Sequence, residues 1–238
     1  MPSSHTVTAF EEELQALSRR VAAMGGQAER LVEQAVAALV NADLSLAHKV
    51  IEDDLLLDNA EREIDDKAFT IIARRQPMAR DLREIVGAIR ISSDLERVGD
   101  LGKNLAKRVN AVAEGRQPPS LFRGLEALAN LASAQLKEVL DIFASRAVER
   151  IAVVRDRDEE IDAMYTSLFR ELLTYMMEDP RNITPCTHLL FCAKNIERIG
   201  DHATNIAETI YYMVTGEQMP PERPKEDKSH RVTLASVT

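Results

Sequence analysis

Apolar side chains recur along this chain at intervals of three and four residues, almost without interruption. That period places them on one stripe of an α-helix. Leu14, Leu17, Val21, Met24, Ala28, Leu31, Val32, Ala35, Val36 and Leu39 outline the stripe of a first long helix. Asp43 is suited to cap a second helix over roughly 44–75. The segment RRQPMARDLR turns at Pro77, and a third helix follows to about residue 112. EGRQPPS, residues 114–120, reads as a linker, with Ser120 placed to cap what comes next. Further helices are predicted near 121–145, 148–178 and 185–215, punctuated by Pro180 and Pro185, with Thr184 as N-cap and Pro185 as first helical residue. From Glu217 the text EQMPPERPKEDKSHRV is polar and proline-rich, the composition of a disordered tail. The pattern predicts an all-α chain: a three-helix bundle over 1–113, a linker over 114–120, a second three-helix bundle over 121–216 and a tail over 217–238.

The two bundles read as tandem copies. Val32, Val36 and Leu39 match Leu136, Leu140 and Phe143 at an offset of 104, and Asp54 and Asp58 match Asp158 and Asp162 at the same offset. DLERVGD (94–100) recurs as NIERIGD (195–201), at an offset of 101.

The repeated motifs carry acids four residues apart: Asp54/Asp58, Glu96/Asp100, Asp158/Asp162 and Glu197/Asp201. Such neighbours share a helix face and repel, at a cost of about 0.2–0.5 kcal/mol per pair. Asp58 and Glu96 each lie 19 residues from Pro77, and Asp54 and Asp100 each lie 23. Asp162 and Glu197 are likewise 17 residues from Asp179 and Pro180 respectively, and Asp158 and Asp201 are 21. Folded back at these turns, each hairpin brings four carboxylates to matching heights, provided the helices present the right faces. Such a quartet must protonate, pair with bases or hold cations. Lys103 and Lys194 stand within three residues of motif acids, so a solvated acidic face with local ion pairs is one reading. Two matched quartets favour the other: multivalent cation sites made of Asp54, Asp58, Glu96 and Asp100, and of Asp158, Asp162, Glu197 and Asp201. Oxygen donors suit magnesium, calcium, manganese or iron, and zinc less often. Leu95, Val98, Leu105 and Val109 lie opposite Glu96 and Asp100 on the helical wheel, which predicts acids facing an open surface. Gly99, Gly102, Gly200 and Ala203 permit close helix approach, and Asn104 and Asn205 are candidates to orient a carboxylate. Glu61 and Asp65 extend the first acid row as secondary candidates; their counterparts are Tyr165 and Phe169.

Charge and composition narrow the field. A net charge of −9 argues against bulk binding to nucleic acid. No apolar run reaches the 18 residues of a membrane span, and the N-terminal MPSSHTVTAFEEELQ lacks the features of a signal peptide. Cys186 and Cys192 are expected to be reduced thiols in a cytoplasmic protein. His202, one residue past Asp201, reads as an ordinary polar residue. Arg74, Arg75, Arg80 and Arg83 give the first hairpin a basic tip that could dock a partner. No nucleophile–base pattern or glycine-rich phosphate loop is present in the sequence.

The stretches RRQPMARDLREI, DLERVGDLGKNLAKR, MMEDPRNI and NIERIGDHATNIAE resemble the PhoU family of phosphate-transport regulators, over about residues 10–216. The resemblance implies six helices in two three-helix bundles. It implies surface metal clusters, of iron or zinc in some members, on the Glu/Asp-x-x-x-Asp motifs. It also implies a cytoplasmic, non-enzymatic role in repressing the phosphate-starvation response. In that role the protein is an adaptor between the ATPase subunit of the phosphate ABC transporter and a sensor histidine kinase, and meets the membrane only through them. A homodimer is a further expectation, though no residue pattern specifies it. A carboxylate-bridged metal hydrolase and a metal-free helical scaffold are the rival readings.

Overall fold

The computed structural model describes residues 4–113 and 119–219. Within them the chain forms α1 (Ser4–Val40), α2 (Leu44–Arg75), α3 (Arg80–Ala106), a short α4 (Val109–Ala113), α5 (Pro119–Ser145), α6 (Ile151–Glu178) and α7 (Ile183–Thr215). Residues 114–118 of the predicted linker and 220–238 of the predicted tail lie outside the described residues.

Local signals place most helix ends. Asp43 caps α2 as predicted, its carboxylate accepting from the Leu46 amide at 3.0 Å. The turn at Pro77 runs from Gln76 to Ala79, both with φ near +50°, a conformation that costs side chains other than glycine about 1 kcal/mol or more. Arg75 is tied back to Glu13 of α1 by two hydrogen bonds of 2.9 Å.

Three boundaries differ from expectation. The third helix does not run unbroken to 112: it ends at Ala106, turns at Lys107 and Arg108, and resumes as α4. α5 begins at Pro119, which puts Ser120 inside the helix rather than at its cap. α7 begins at Ile183, two residues before Pro185. A proline in the first turn removes only an N–H that has no intrahelical partner, so the helix starts ahead of it. Thr184 is therefore helical and not the N-cap.

α1, α2 and α3 pack on one another, and α5, α6 and α7 do the same. The halves join through α3 against α7 and α1 against α5, so those four helices form the centre while α2 and α6 lie outside. The α1 stripe is the first wall of the core: Leu17, Val21, Met24, Ala28, Leu31, Val32, Ala35 and Leu39 are buried, with Leu14 and Val36 packed against them. Cys186 and Cys192 are buried free thiols, and burial pushes the Cys192 thiol up to about 12. No described helix is long and apolar enough to cross a membrane.

Polar bridges cross between the halves. Asp94 of α3 pairs with His202 of α7 at 2.8 Å, and Arg108 lies 4.4 Å from the Phe191 ring while bonding His188 at 3.2 Å. His202 is thus a partner in the junction between bundles.

Candidate functional site

Each hairpin brings acids equally spaced from its turn within electrostatic reach of one another. In the first, Asp54 feels the charges of Asp58 and Asp100, and Glu96 feels those of Asp58, Asp100 and Glu61. In the second, Glu197 feels Asp162 and Asp201. Asp158 joins across the seam by accepting from the Thr204 hydroxyl at 3.1 Å. Two acid seams result, one between α2 and α3 and one between α6 and α7.

The seams are only in part the open surface that the wheel of α3 predicts: Asp58, Asp100 and Asp201 are half-buried, with the Asp100 side chain 36% exposed. Asp54, Asp158, Asp162 and Glu197 are all buried, and Glu96 is largely covered. The wheel shows which way a side chain leaves its own helix. It does not show that α2 and α6 lie directly on those faces. Small residues set that distance. A methyl group on Gly99 would stand 2.5 Å from Leu57 Cδ1 and 3.2 Å from Asp54 Oδ1. One on Gly200 would stand 2.9 Å from Gln135 Oε1 and 3.1 Å from Ile161 Cδ1.

Bases occupy part of each seam. Lys103 Nζ lies 2.5 Å from Asp54 Oδ2 and 3.3 Å from Asp100 Oδ1. Arg97 Nε and Nη1 reach Glu96 and Asp100, each at 3.4 Å. Lys194 Nζ lies 2.7 Å from Glu197 Oε1 and 5.1 Å from the Tyr165 ring. Burial nevertheless outweighs these partners. It raises the carboxyl groups of Asp54 and Glu96 above their ordinary values and takes Glu197 to about 7, the neighbouring acids adding to the shift. The Lys103 ammonium is held above its usual value by its bond to Asp54.

Sequence reasoning missed a neutral relay in the second half. Gln135 of α5, fully buried, donates to the Val154 carbonyl at 2.9 Å and to the Thr204 hydroxyl at 3.1 Å. Thr204 donates in turn to Asp158. The signal was present as a lone glutamine inside the apolar stripe LASAQLKEVL. Glu61 and Asp65 sit on α2 below the first quartet, Glu61 bonded to Ser93, and burial raises both carboxyls. Tyr165 and Phe169, their counterparts, make an edge-to-face pair with ring centroids 6.3 Å apart. Asn104 is exposed and Asn205 half-buried.

Among the described residues, no group of three or more His, Cys, Asp or Glu side chains stands arranged to hold a metal ion. Two observations still fit a cation. Asp54 Oδ1 and Glu197 Oε2 are buried with no hydrogen-bond partner, and the donors are all carboxylate oxygens. That chemistry fits magnesium, manganese or iron and offers zinc neither of the ligand types it most often takes.

A family model described as the PhoU domain matches twice, at residues 21–109 and 125–210, one match to each bundle. This chain belongs to the PhoU family. It is 68% identical over 238 residues, the full length of both chains, to a protein of Rhizobium meliloti named phosphate-specific transport system accessory protein PhoU homolog. A Caulobacter vibrioides protein of the same name is 49% identical over 225 residues, 94% of this chain and 98% of that one. The crystal structure of PhoU from Pseudomonas aeruginosa superposes with a TM-score of 0.84 at 38% identity, covering 87% of this chain and all of the other. The phosphate transport system regulatory protein PhoU from Streptococcus pneumoniae gives 0.82 at 26% identity, covering 89% and 99%. The fold is therefore the PhoU fold: all-α, with two tandem three-helix bundles.

Proposed function

We propose that this protein is a cytoplasmic, non-enzymatic regulator of phosphate uptake and of the phosphate-starvation response. It acts as an adaptor between the ATPase subunit of the phosphate ABC transporter and a sensor histidine kinase, as a homodimer that meets the membrane through these partners. The observation that carries the reading is family membership through both repeats, with 68% identity along the full length to a named accessory protein of phosphate transport. The basic tip around Arg74 and Arg80, both exposed, gives the adaptor a docking end. Copurification of the intact protein with the transporter ATPase and the kinase, at low and at high phosphate, tests this. Association at one phosphate level supports the adaptor, and none at either level refutes it.

The acid seams are proposed as sites for multivalent cations, with Asp54, Asp58, Glu96 and Asp100 in the first and Asp158, Asp162, Glu197 and Asp201 in the second. The unpartnered buried oxygens of Asp54 and Glu197 support this. A hydrolase needs an open position and a shaped pocket beside its metal. The family relatives are named accessory and regulatory proteins, which favours regulatory or structural cation binding over hydrolysis.

A further inference from the structure

The two seams differ in where each keeps its strong base. In the first, Lys103 sits between Asp54 and Asp100. Its counterpart at the offset of 101 is Thr204, which bonds Asp158, the counterpart of Asp54. In the second, Lys194 sits on Glu197. Its counterpart is Ser93, which bonds Glu61 beside Glu96. An ammonium and a hydroxyl have changed places between the two ends of the seam.

Each ammonium meets the most buried carboxylate of its own seam: Asp54 at 1% exposure and Glu197 at 3%. Each of those carboxylates is bonded through one oxygen, while Asp54 Oδ1 and Glu197 Oε2 stay buried and unbonded. A carboxylate can accept on both oxygens, and one ammonium on one side leaves the other unsatisfied. A multivalent cation can take both oxygens of a carboxylate at once, and it carries the charge to offset the neighbouring acids as well.

We propose that Lys103 and Lys194 are built-in counter-cations that hold the place of multivalent cations at opposite ends of the two seams, so that an entering cation displaces Lys103 from Asp54 and Lys194 from Glu197. This deepens the cation-binding reading above and rests on it. The displacements are unequal. The Lys103 side chain is 23% exposed, whereas that of Lys194 is 41% exposed and more open to exchange. The second seam exchanges its lysine first.

The test uses the full chain, stripped with chelator, then titrated with manganese by calorimetry while Tm is followed in parallel. In chelator, Lys103→Met loses about 5–10 °C, because a buried carboxylate is left without its base. Manganese restores the loss. Lys103→Met and Lys194→Met each bind manganese at least about tenfold more tightly than the parent, since a competing unit charge is gone. Adding Asp100→Asn to Lys103→Met removes that gain and so places it in the first seam. Lys103→Arg keeps the charge and the parent affinity, which separates charge from packing. Should Lys103→Met not fold in chelator, Lys103→Gln and Lys194→Met carry the same comparison. Binding by the variants and not by the parent supports the proposal in its strongest form. A parent that binds manganese as tightly as both methionine variants overturns the lysine proposal and leaves the cation reading standing. No binding by the parent or by any variant overturns both.

Discussion

The hairpins α2–α3 and α6–α7 descend from one pattern and solve one electrostatic problem in two ways. The first meets its deepest carboxylate, Asp54, with a full charge from Lys103. The second meets the equivalent Asp158 with a hydroxyl, Thr204, backed by the buried amide of Gln135. Position 31, which corresponds to 135, is a leucine packed near Gly102, so the glutamine of the second half has no counterpart at the matching place in the first. The difference teaches that the repeated acids, and not the groups that quiet them, are the constant part of the arrangement. A lysine tolerates partial exposure. A glutamine–threonine relay needs the interior, where its hydrogen bonds are strong and its unpaired atoms costly.

Giving the first hairpin the hydroxyl of the second breaks the comparison most directly. Lys103→Thr is expected to lower stability by about 3–5 kcal/mol in urea unfolding with chelator present, because Asp54 loses its base and gains no relay. An effect below about 1 kcal/mol would show that Asp54 was never dependent on it.

The next effect belongs to Glu197. Its folded value of about 7 lies above its ordinary 4.5, so the folded chain keeps a proton that the unfolded chain has released. Stability from this group is complete below pH 4.5 and falls as pH rises to about 7, by about 3 kcal/mol in all. Glu197→Gln is expected to flatten that slope in metal-free denaturation curves taken between pH 4.5 and 8. A slope unchanged by the substitution would assign the pH dependence elsewhere.

Alanine at the paired glycines sharpens the comparison further. Gly200→Ala drives a methyl toward a buried glutamine and Ile161, and is expected to cost about 1–2 kcal/mol. Gly99→Ala meets the terminal methyl of the buried Leu57 at 2.5 Å, and a gain of about 1 kcal/mol in helix propensity offsets part of that clash only if the methyl can rotate aside, so a smaller loss is expected. Thermal melts of the two variants should differ in that order.

The smallest effect is at the junction. A double-mutant cycle on Asp94 and His202, both partly exposed, is expected to give a coupling of at most about 1 kcal/mol. Zero coupling would make that bridge incidental to the docking of the bundles.

Much of this was legible in the residues themselves. The long apolar stripes, Asp43 and the prolines at 77 and 180 marked the helices and their turns, and equal spacing from those turns placed Asp58 by Glu96 and Asp162 by Glu197. Burial was not legible, because it depends on a second helix lying over the first. The wheel of α3 has no knowledge of α2. The break at Lys107 was hidden for a similar reason: apolar Val109 and Val112 continue the helical period across it and are buried on the far side. Lys103 and Lys194 could be named from their spacing, but their opposite placement appeared only when α2 and α6 supplied the partners. Asp94 and His202 carry no mark of one another in sequence, being 108 residues apart on elements whose contact is set by the docking of two bundles.

α3 and α7 each do two jobs. Each is one wall of an acid seam, and each presses on the other along the middle of the molecule. The two seams are thus joined back to back through this pair of helices. A charge that arrives or leaves beside Asp100 therefore acts on a helix that packs directly against the one carrying Asp201.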